Sequence, residues 1–378
     1  VYVRHLSVAD FRSWPTAELA LEPGPVVLVG ANGQGKTNLV EALGYAATLS
    51  SHRVSADAPL VRAGAERAVV RVAVVADSRE LRVELEIVPG RANRAKLNGA
   101  PVKRPRDVLG AVRTVLFAPE DLAIVRGDPS ERRRFLDELV VARSPRMAAV
   151  RADYERVLRQ RGVLLKSAGG SRRANVDFGT LDVWDAHLAR HGAALLRARL
   201  TTLAALRPFA AAAYAEVAPA SAVLGARYLG SLEPDLEAPV SDEADLEQAL
   251  LDELARRRSA ELDRGVNLVG PHRDDVEFAI GSLPVRGYAS HGEGWSVALA
   301  LRLGSFELLR HDFGPGGEPV LILDDVFAEL DVERRGQLAV AATKAEQVIV
   351  TAAVAGDVPD QLLGTRYEVR DREVRRGG

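Results

Sequence analysis

The chain has 378 residues, 47% of them hydrophobic and 27% charged, an ordinary globular mix with enough length for about two or three domains. It has no cysteine, which excludes disulfides, thiolate metal sites and cysteine nucleophiles. No apolar run approaches the roughly 20 residues of a membrane span, and the formal net charge of −2 argues neither for nor against a polyanionic partner. The opening Val1-Tyr2-Val3-Arg4-His5 lacks the charged-then-apolar pattern of a secretory signal, so a cytoplasmic protein is expected.

In chain order, the first 125 residues read as strands with one helix. Pro25-Val26-Val27-Leu28-Val29 is a short apolar run ending at a glycine, the pattern of a buried strand. Asn38 to Leu49 predicts a helix just beyond the loop that follows. Val69 to Val75 and Leu81 to Val88 predict paired strands, and Leu81, Val83, Leu85 and Ile87 alternate with polar partners. Lys96-Leu97-Asn98-Gly99-Ala100 carries an Asn-Gly hairpin signal. From Ser130 to about Ala215 apolar residues recur at helical spacing among Ala, Leu and Arg, broken at Gly169-Gly170-Ser171. Asp242 to Leu254 reads helical, and Ser296 to Arg310 predicts a mostly buried helix. Val320-Leu321-Ile322-Leu323 and Gln347-Val348-Ile349-Val350 predict two more buried strands. The pattern is α/β, a nucleotide-binding core split in sequence by a helical insert without heptads.

Charge is segregated along the chain. Arg126 to Arg173 holds 13 Lys/Arg against 6 Asp/Glu, while Leu232 to Ala255 holds 9 Asp/Glu and no base. Such a division suits a surface that steers a polyanion, and equally a set of helices with solvated charged faces.

Gly30-Ala31-Asn32-Gly33-Gln34-Gly35-Lys36-Thr37 matches G-x-x-x-x-G-K-[ST] at every fixed position. Glycines let backbone N–H groups turn inward around phosphate oxygens, Lys36 adds a cation, Thr37 offers a hydroxyl to Mg²⁺, and the next helix aims its positive end at the same anion. ATP and Mg²⁺ are the expected ligands. The strand Val320 to Leu323 ends in Asp324-Asp325; Asp324 suits the magnesium shell and Asp325 a base that orients water.

Lys36 and Asp324 lie far apart, with helical sequence between them. In this the chain resembles an ABC-type P-loop ATPase head with a helical domain inserted in the sequence. That resemblance implies a serine-glycine segment at a helix start before the second acid, a place held by Ser290-His291-Gly292-Glu293-Gly294. Ser290, Gly292 and Glu293 are then expected against the nucleotide of a second subunit.

Leu268-Val269-Gly270-Pro271-His272-Arg273-Asp274-Asp275 is similar to the characteristic segment of the RecF family of bacterial recombination-mediator ATPases. Asp10-Phe11-Arg12-Ser13, Phe117-Ala118-Pro119-Glu120-Asp121-Leu122, Arg132-Arg133-Arg134-Phe135-Leu136-Asp137 and the run from Leu323 to Asp331 extend the likeness. Gly292-Glu293-Gly294-Trp295 and the Ala/Arg-rich composition resemble an actinobacterial member. The resemblance implies boundaries at 1–125 for the N-terminal lobe of the head, 126–262 for a helical arm and 263–378 for the C-terminal lobe. It adds Arg12 and Asn38 to the nucleotide set. It implies a homodimer closed by ATP, binding to gapped or single-strand/duplex junction DNA, the partners RecO and RecR, indirect work with RecA and SSB, and roles in DNA repair, replication and the SOS response. Arg132, Arg133, Arg134, Arg156, Arg159 and Arg161 are the candidate DNA contacts; helix salt bridges with Asp153 and Glu155 are their other reading.

Departures from the wider ABC pattern bear on catalysis. Asp325 stands where ABC transporters carry Glu, Ala352 stands at the switch histidine, and no glutamine is evident near Pro119-Glu120. A weak, DNA-stimulated ATPase is expected, with Lys36 and Asp325 as its catalytic residues and ATP mainly controlling assembly. His272 suits a nucleotide or DNA contact and also a purely structural role; Trp14, Trp184 and Trp295 suit packing. The rivals are an ABC-type ATPase subunit of a membrane transporter, disfavoured by Ala352, the insert and Gly270–Asp275, and a long-armed SMC-type protein, disfavoured by the missing heptads.

Overall fold

The computed structural model describes residues 1–76, 78–168, 178–219, 221–230, 232 and 242–377. The expected break at Gly169-Gly170-Ser171 and residues 233–241 of the acidic stretch lie outside them. Among the described residues no helix is long and apolar enough to cross a membrane.

The chain forms β1 (Tyr2–Phe11), β2 (Trp14–Ala20), β3 (Gly24–Val29), α1 (Lys36–Thr48), β4 (Ala68–Ala76), β5 (Arg79–Ile87), β6 (Arg94–Leu97), β7 (Ala100–Pro101) and β8 (Thr114–Phe117). The helices α2 (Leu122–Arg126), α3 (Pro129–Arg143), α4 (Met147–Ala168) and α5 (Phe178–Val217) follow. Then come β9 (Leu224–Leu229), α6 (Glu243–Arg264), β10 (Asp275–Ile280), β11 (Leu283–Pro284), the kinked α7 (Val285–Tyr288) and α8 (His291–Phe313). The chain closes with β12 (Val320–Asp324), α9 (Val332–Ala342), β13 (Gln347–Ala352), β14 (Thr365–Arg370) and β15 (Glu373–Arg376).

Two compact units result. The first, the head, comprises Val1–Ala123, Pro208–Val223 and Ser290–Gly378; the second, the arm, comprises Ile124–Arg207 and Leu224–Ala289. Residues 263–289 therefore fall with the arm, not with the C-terminal lobe where the sequence boundary put them. The reason is strand pairing: β10 runs antiparallel to β9 across six registered pairs, Asp275↔Leu229 to Ile280↔Leu224. That ladder, in a region with little strand signal in its sequence, anchors Gly270–Asp275 to the arm.

The head contains two six-stranded sheets. An antiparallel one runs β2-β1-β4-β5-β6-β7, and the other, parallel apart from its β15 edge, runs β15-β14-β3-β13-β12-β8. In the parallel sheet β12 and β13 are buried along their whole length, as strands covered on both faces must be, which explains their unbroken apolar runs. The antiparallel strands instead bury alternate residues, Val70, Val72 and Val74 on β4 and Val83, Leu85 and Ile87 on β5, in one core with Leu39 and Leu43 of α1. The Asn98-Gly99 turn joins β6 to β7 as the hairpin signal predicts. Gln347, fully buried, joins the sheets: its amide oxygen accepts from the Val3 N–H at 2.8 Å, and its amide nitrogen donates to the carbonyls of Val3 and Glu22 at 2.9 Å each.

The arm is held by buried charge. Arg161 is fully buried and donates to Asp185 at 2.6 Å, to Asn267 at 2.7 Å and to Glu261 at 2.5 Å. Arg199 makes a two-pronged bond to Asp137 at 2.7 and 2.9 Å and donates to the Pro271 carbonyl at 2.6 Å. Arg132, 3% exposed, makes the same kind of fork to Asp275 at 2.6 and 2.9 Å. These contacts correct two candidate DNA residues: the Arg161 guanidinium is buried between Asp185 and Glu261, and the Arg132 guanidinium is buried against Asp275 and the Gly127 carbonyl, so neither faces solvent. Arg133 donates to the Asp274 carbonyl at 2.6 Å, and Arg134 pairs with Glu138 one helical turn on. Arg156, 64% exposed, pairs with Asp153 at 2.7 Å, and Arg159 is exposed. His272 takes the structural role: Tyr154 donates its hydroxyl to Nδ1 at 2.7 Å while Nε2 faces the Asn267 carbonyl at 3.3 Å. Burial pushes its pKa down to about 4, so the ring is neutral.

Removing one member of a buried ion cluster strands the others without solvent. Arg161→Ala is therefore expected to cost about 3–5 kcal/mol in chemical denaturation. Arg159→Ala, at an exposed helix position, should stay within about 0.5 kcal/mol of wild type.

Candidate functional site

The carboxyl ends of β3, β13 and β12 lie side by side at one edge of the parallel sheet, with Leu28 opposite Thr351 and Thr351 opposite Asp324. This register brings together residues hundreds of positions apart, at the place where ligands of open α/β sheets bind. The loop after β3 passes into α1 at Gly35, which has φ +99° and lies under Trp14; a Cβ there would stand 2.7 Å from the indole nitrogen. Trp14 is fully buried and its indole N–H donates to the Gly35 carbonyl at 3.0 Å. At the other end of the loop a Cβ on Gly30 would fall 2.2 Å from the Val369 carbonyl oxygen of β14. Both fixed glycines of the pattern are thus required by close backbone or ring contacts. Gln34 accepts the Asp371 N–H at 2.8 Å and ties the loop to the turn between β14 and β15.

A cavity of about 370 Å³ opens at this edge, within the range of small-molecule sites, and is lined in part by Asn32, Gly33, Gly35, Lys36, Thr37, Asn38 and Asp325. Gly30, Ala31 and Gln34 complete the loop behind it. The Lys36 ammonium donates to the carbonyls of Gly30 at 2.7 Å and Ala31 at 3.4 Å, and stands 4.0 Å from Asp325. Among the described residues no side chain caps α1, which leaves its positive end open toward the cavity.

Thr37 donates its hydroxyl to Asp324 at 3.1 Å. Two oxygens at that spacing fit adjacent corners of an octahedron with metal–oxygen bonds of about 2.1 Å, so Thr37 and Asp324 suit Mg²⁺. Asp324 is 2% exposed, and burial raises its pKa to about 6, with the nearby Asp325 charge adding to the rise and the Thr351 and Thr37 hydroxyls opposing it. Asp325 is a third exposed, has φ +51°, and points its carboxylate at Lys36.

The sequence reading misses several residues that build this site. Thr351 is buried, donates to Asp324 at 2.6 Å and accepts the Asp325 backbone N–H at 2.9 Å, so one hydroxyl holds both acids. Arg53 lines the cavity, donates to Asn38 at 3.0 Å and lies 3.5 Å from Glu41. Glu41, on α1 and fully buried, grips Arg12 through two bonds of 2.8 and 2.6 Å. Arg12, which also donates to the Pro59 carbonyl at 3.1 Å, is held beside the cavity and does not line it. No sequence pattern marks Thr351, Arg53 or Glu41, because each gains its role from a partner that only the folded register supplies.

Ser290, Gly292 and Glu293 form the first turn of α8 and are outside the cavity of their own chain. Ser290 is the N-cap: its hydroxyl accepts the Glu293 N–H at 3.3 Å while the Glu293 carboxylate accepts the Ser290 N–H at 2.8 Å. These bonds hold the Glu293 carboxyl below its usual range. Ala352 lines the cavity with a methyl group, as does the ring of Pro119. Trp295 packs edge-on against Phe117 at 5.9 Å, and Trp184 lies beside His187, so the three tryptophans are packing residues.

Residues 2–367 match the family described as RecF/RecN/SMC N terminal domain. The chain is 62% identical to the DNA replication and repair protein RecF of Frankia alni and 58% identical to that of Streptomyces avermitilis, over 100% of each protein in both cases. Both organisms are actinobacteria, as the composition led us to expect. Among solved structures it resembles the recombination mediator protein RecF-ATP of the RecFOR pathway, with TM-score 0.89 at 28% identity, covering 100% of this chain and 98% of that one. An Smc head bound to the C-winged helix domain of ScpA shares the fold, with TM-score 0.56 at 17% identity over 100% and 97% of the two chains.

In the metal-free protein Asp324 is neutral more readily folded than unfolded, so charging it costs stability as pH rises from about 4 through 6. Asp324→Asn is expected to stabilise the nucleotide-free protein by up to about 3 kcal/mol at pH 8 and by little at pH 4, read from denaturation midpoints. The same variant should lose the thermal shift that Mg²⁺ and ATP together give the wild type.

Proposed function

The chain belongs to the RecF/RecN/SMC N-terminal domain family, and within it to the RecF proteins, and on that premise we propose that it is an ATP-dependent DNA-binding recombination mediator. One observation carries the shared-site part of this reading: the Ser290–Glu293 turn that opens α8 is outside its own chain's cavity. Two copies that each lend this turn to the other's nucleotide would complete both sites at once.

In this reading Lys36 and the loop amides bind the ATP phosphates, while Thr37 and Asp324 would hold Mg²⁺, which would offset phosphate charge there. Asp325 orients the attacking water. Its short side chain, drawn toward Lys36, and the methyl group of Ala352 where a switch histidine would stand make hydrolysis slow. ATP binding then has assembly as its main output: a homodimer on gapped or junction DNA that works with RecO and RecR and assists RecA loading on SSB-coated strands. Exposed Arg156 and Arg159 remain the best DNA candidates of the original six, through phosphate contacts that carry no sequence information.

Sedimentation and DNA binding with ATP, with ADP and with the variants Lys36→Ala and Ser290→Ala test the proposal. Wild type with ATP should dimerise and bind junction DNA with an affinity that falls steeply as salt rises; ADP and Lys36→Ala should abolish both. Ser290→Ala should bind ATP normally and dimerise measurably more weakly than wild type. A wild-type protein that stays monomeric with ATP and ignores DNA would sink the reading.

A further inference from the structure

The turn that follows the acidic pair and the first turn of α8 are joined inside one chain by a single side chain, Arg334. Asp331, the N-cap of α9, accepts the Arg334 backbone N–H at 2.9 Å with one oxygen and the Arg334 guanidinium at 2.5 Å with the other. The same guanidinium donates from Nε to the hydroxyl of Ser296 at 2.9 Å. Ser296 is fully buried, and its hydroxyl in turn donates to the Gly292 carbonyl at 3.1 Å. The path from Gly292 through Ser296 and Arg334 to Asp331 is therefore an unbroken chain of hydrogen bonds.

Gly292 fits this path sterically. A Cβ on it would lie 3.3 and 3.4 Å from the two terminal nitrogens of Arg334, which are held in place by Asp331 and Ser296. The Arg334 charge also acts on Glu293, the acid of the capping box, and helps to keep it ionised. One cation thus lies against Gly292 and biases Glu293 of the Ser290–Glu293 turn. On its other side it fixes the end of the short segment, Val326 to Leu330, that begins at Asp325.

We infer that Arg334 is a positioning residue that couples the Ser290–Glu293 turn to the Asp325–Asp331 segment, so that engagement of a second copy's nucleotide by the turn is transmitted to the acid beside the chain's own cavity. The inference rests on the shared-site reading above. It needs both arms of the guanidinium. An ammonium could keep the pair with Asp331 but, as a single point charge, could not hold Ser296 in the same geometry.

The test uses the full chain with Arg334→Lys and with Ser296→Ala, which cuts the path from its other side. Both variants should keep the wild-type Kd for a fluorescent ATP analogue on the monomer. Both should weaken the ATP-dependent dimer about tenfold, the loss expected for one charge-assisted hydrogen bond. Combining either with Ser290→Ala should add less than the sum of the single losses, since all act through one turn. Dimers of either single variant as tight as wild type would overturn the coupling, as would full additivity with Ser290→Ala. A wild type that never dimerises with ATP would instead overturn the shared-site reading, so the two failures are told apart by the wild-type arm.

Discussion

Asp324 carries a carboxyl group into an enclosed part of the head, at the end of a strand buried along its whole length. Left alone such a group would be expelled or permanently protonated. The Thr37 and Thr351 hydroxyls both donate to its Oδ1 and offset only part of the cost of burial, which is why its pKa settles near 6 and not in the usual carboxylate range. A divalent cation at the same point would remove the remaining cost. The geometry that satisfies Asp324 requires β3, β13 and β12 to be parallel, adjacent and in register, so the loop from Gly30 to Thr37 is held by the same constraint that holds the acid.

Around this centre the head spends further buried charge on position. Glu41 is fully enclosed on α1, and it gathers Arg12, Arg53 and the Ser51 hydroxyl about itself. Arg12 and Arg53 compete for one carboxylate and differ in outcome: the first is bound through a bidentate fork, the second by a longer contact of 3.5 Å that leaves it along the cavity wall. A fork fixes a guanidinium's plane as well as its distance, whereas a single long contact permits adjustment to a ligand. Arg12 is accordingly a strut of the cavity and Arg53 its adaptable cation.

The elements legible in the sequence are those whose signal is local. Val320 to Leu323 and Gln347 to Val350 are unbroken apolar runs because both strand faces are covered, and Asn98-Gly99 is a turn wherever it stands between strands. The glycine-lysine-threonine loop is equally local, and so is the capped start of α8. The rest depends on partners far along the chain. Arg156 and Arg161 look alike as helix residues, yet Arg161 meets Asp185, Glu261 and Asn267 in the arm's interior while Arg156 meets Asp153 at the surface. The pairing of β9 with β10 is missed for the same reason, since neither six-residue strand is apolar enough to declare itself without the other. Thr351 is the sharpest case: a threonine closing an apolar strand carries no pattern until the register sets it opposite Asp324.

The same dependence on register shapes the surroundings of the short acid at position 325. Its backbone has φ +51°, a conformation that asparagine and aspartate tolerate better than glutamate does, and Thr351 fixes its amide. A longer side chain on that backbone would sit elsewhere, so the replacement of Glu by Asp and the left-handed turn belong to one solution. Lys36 then faces a carboxylate 4.0 Å away and two loop carbonyls, an arrangement in which its charge is already partly satisfied. An anion entering the cavity must draw Lys36 from these partners and thereby release Asp325. The positions of Lys36 and Asp325 are consequently linked through one contact at the mouth of the cavity.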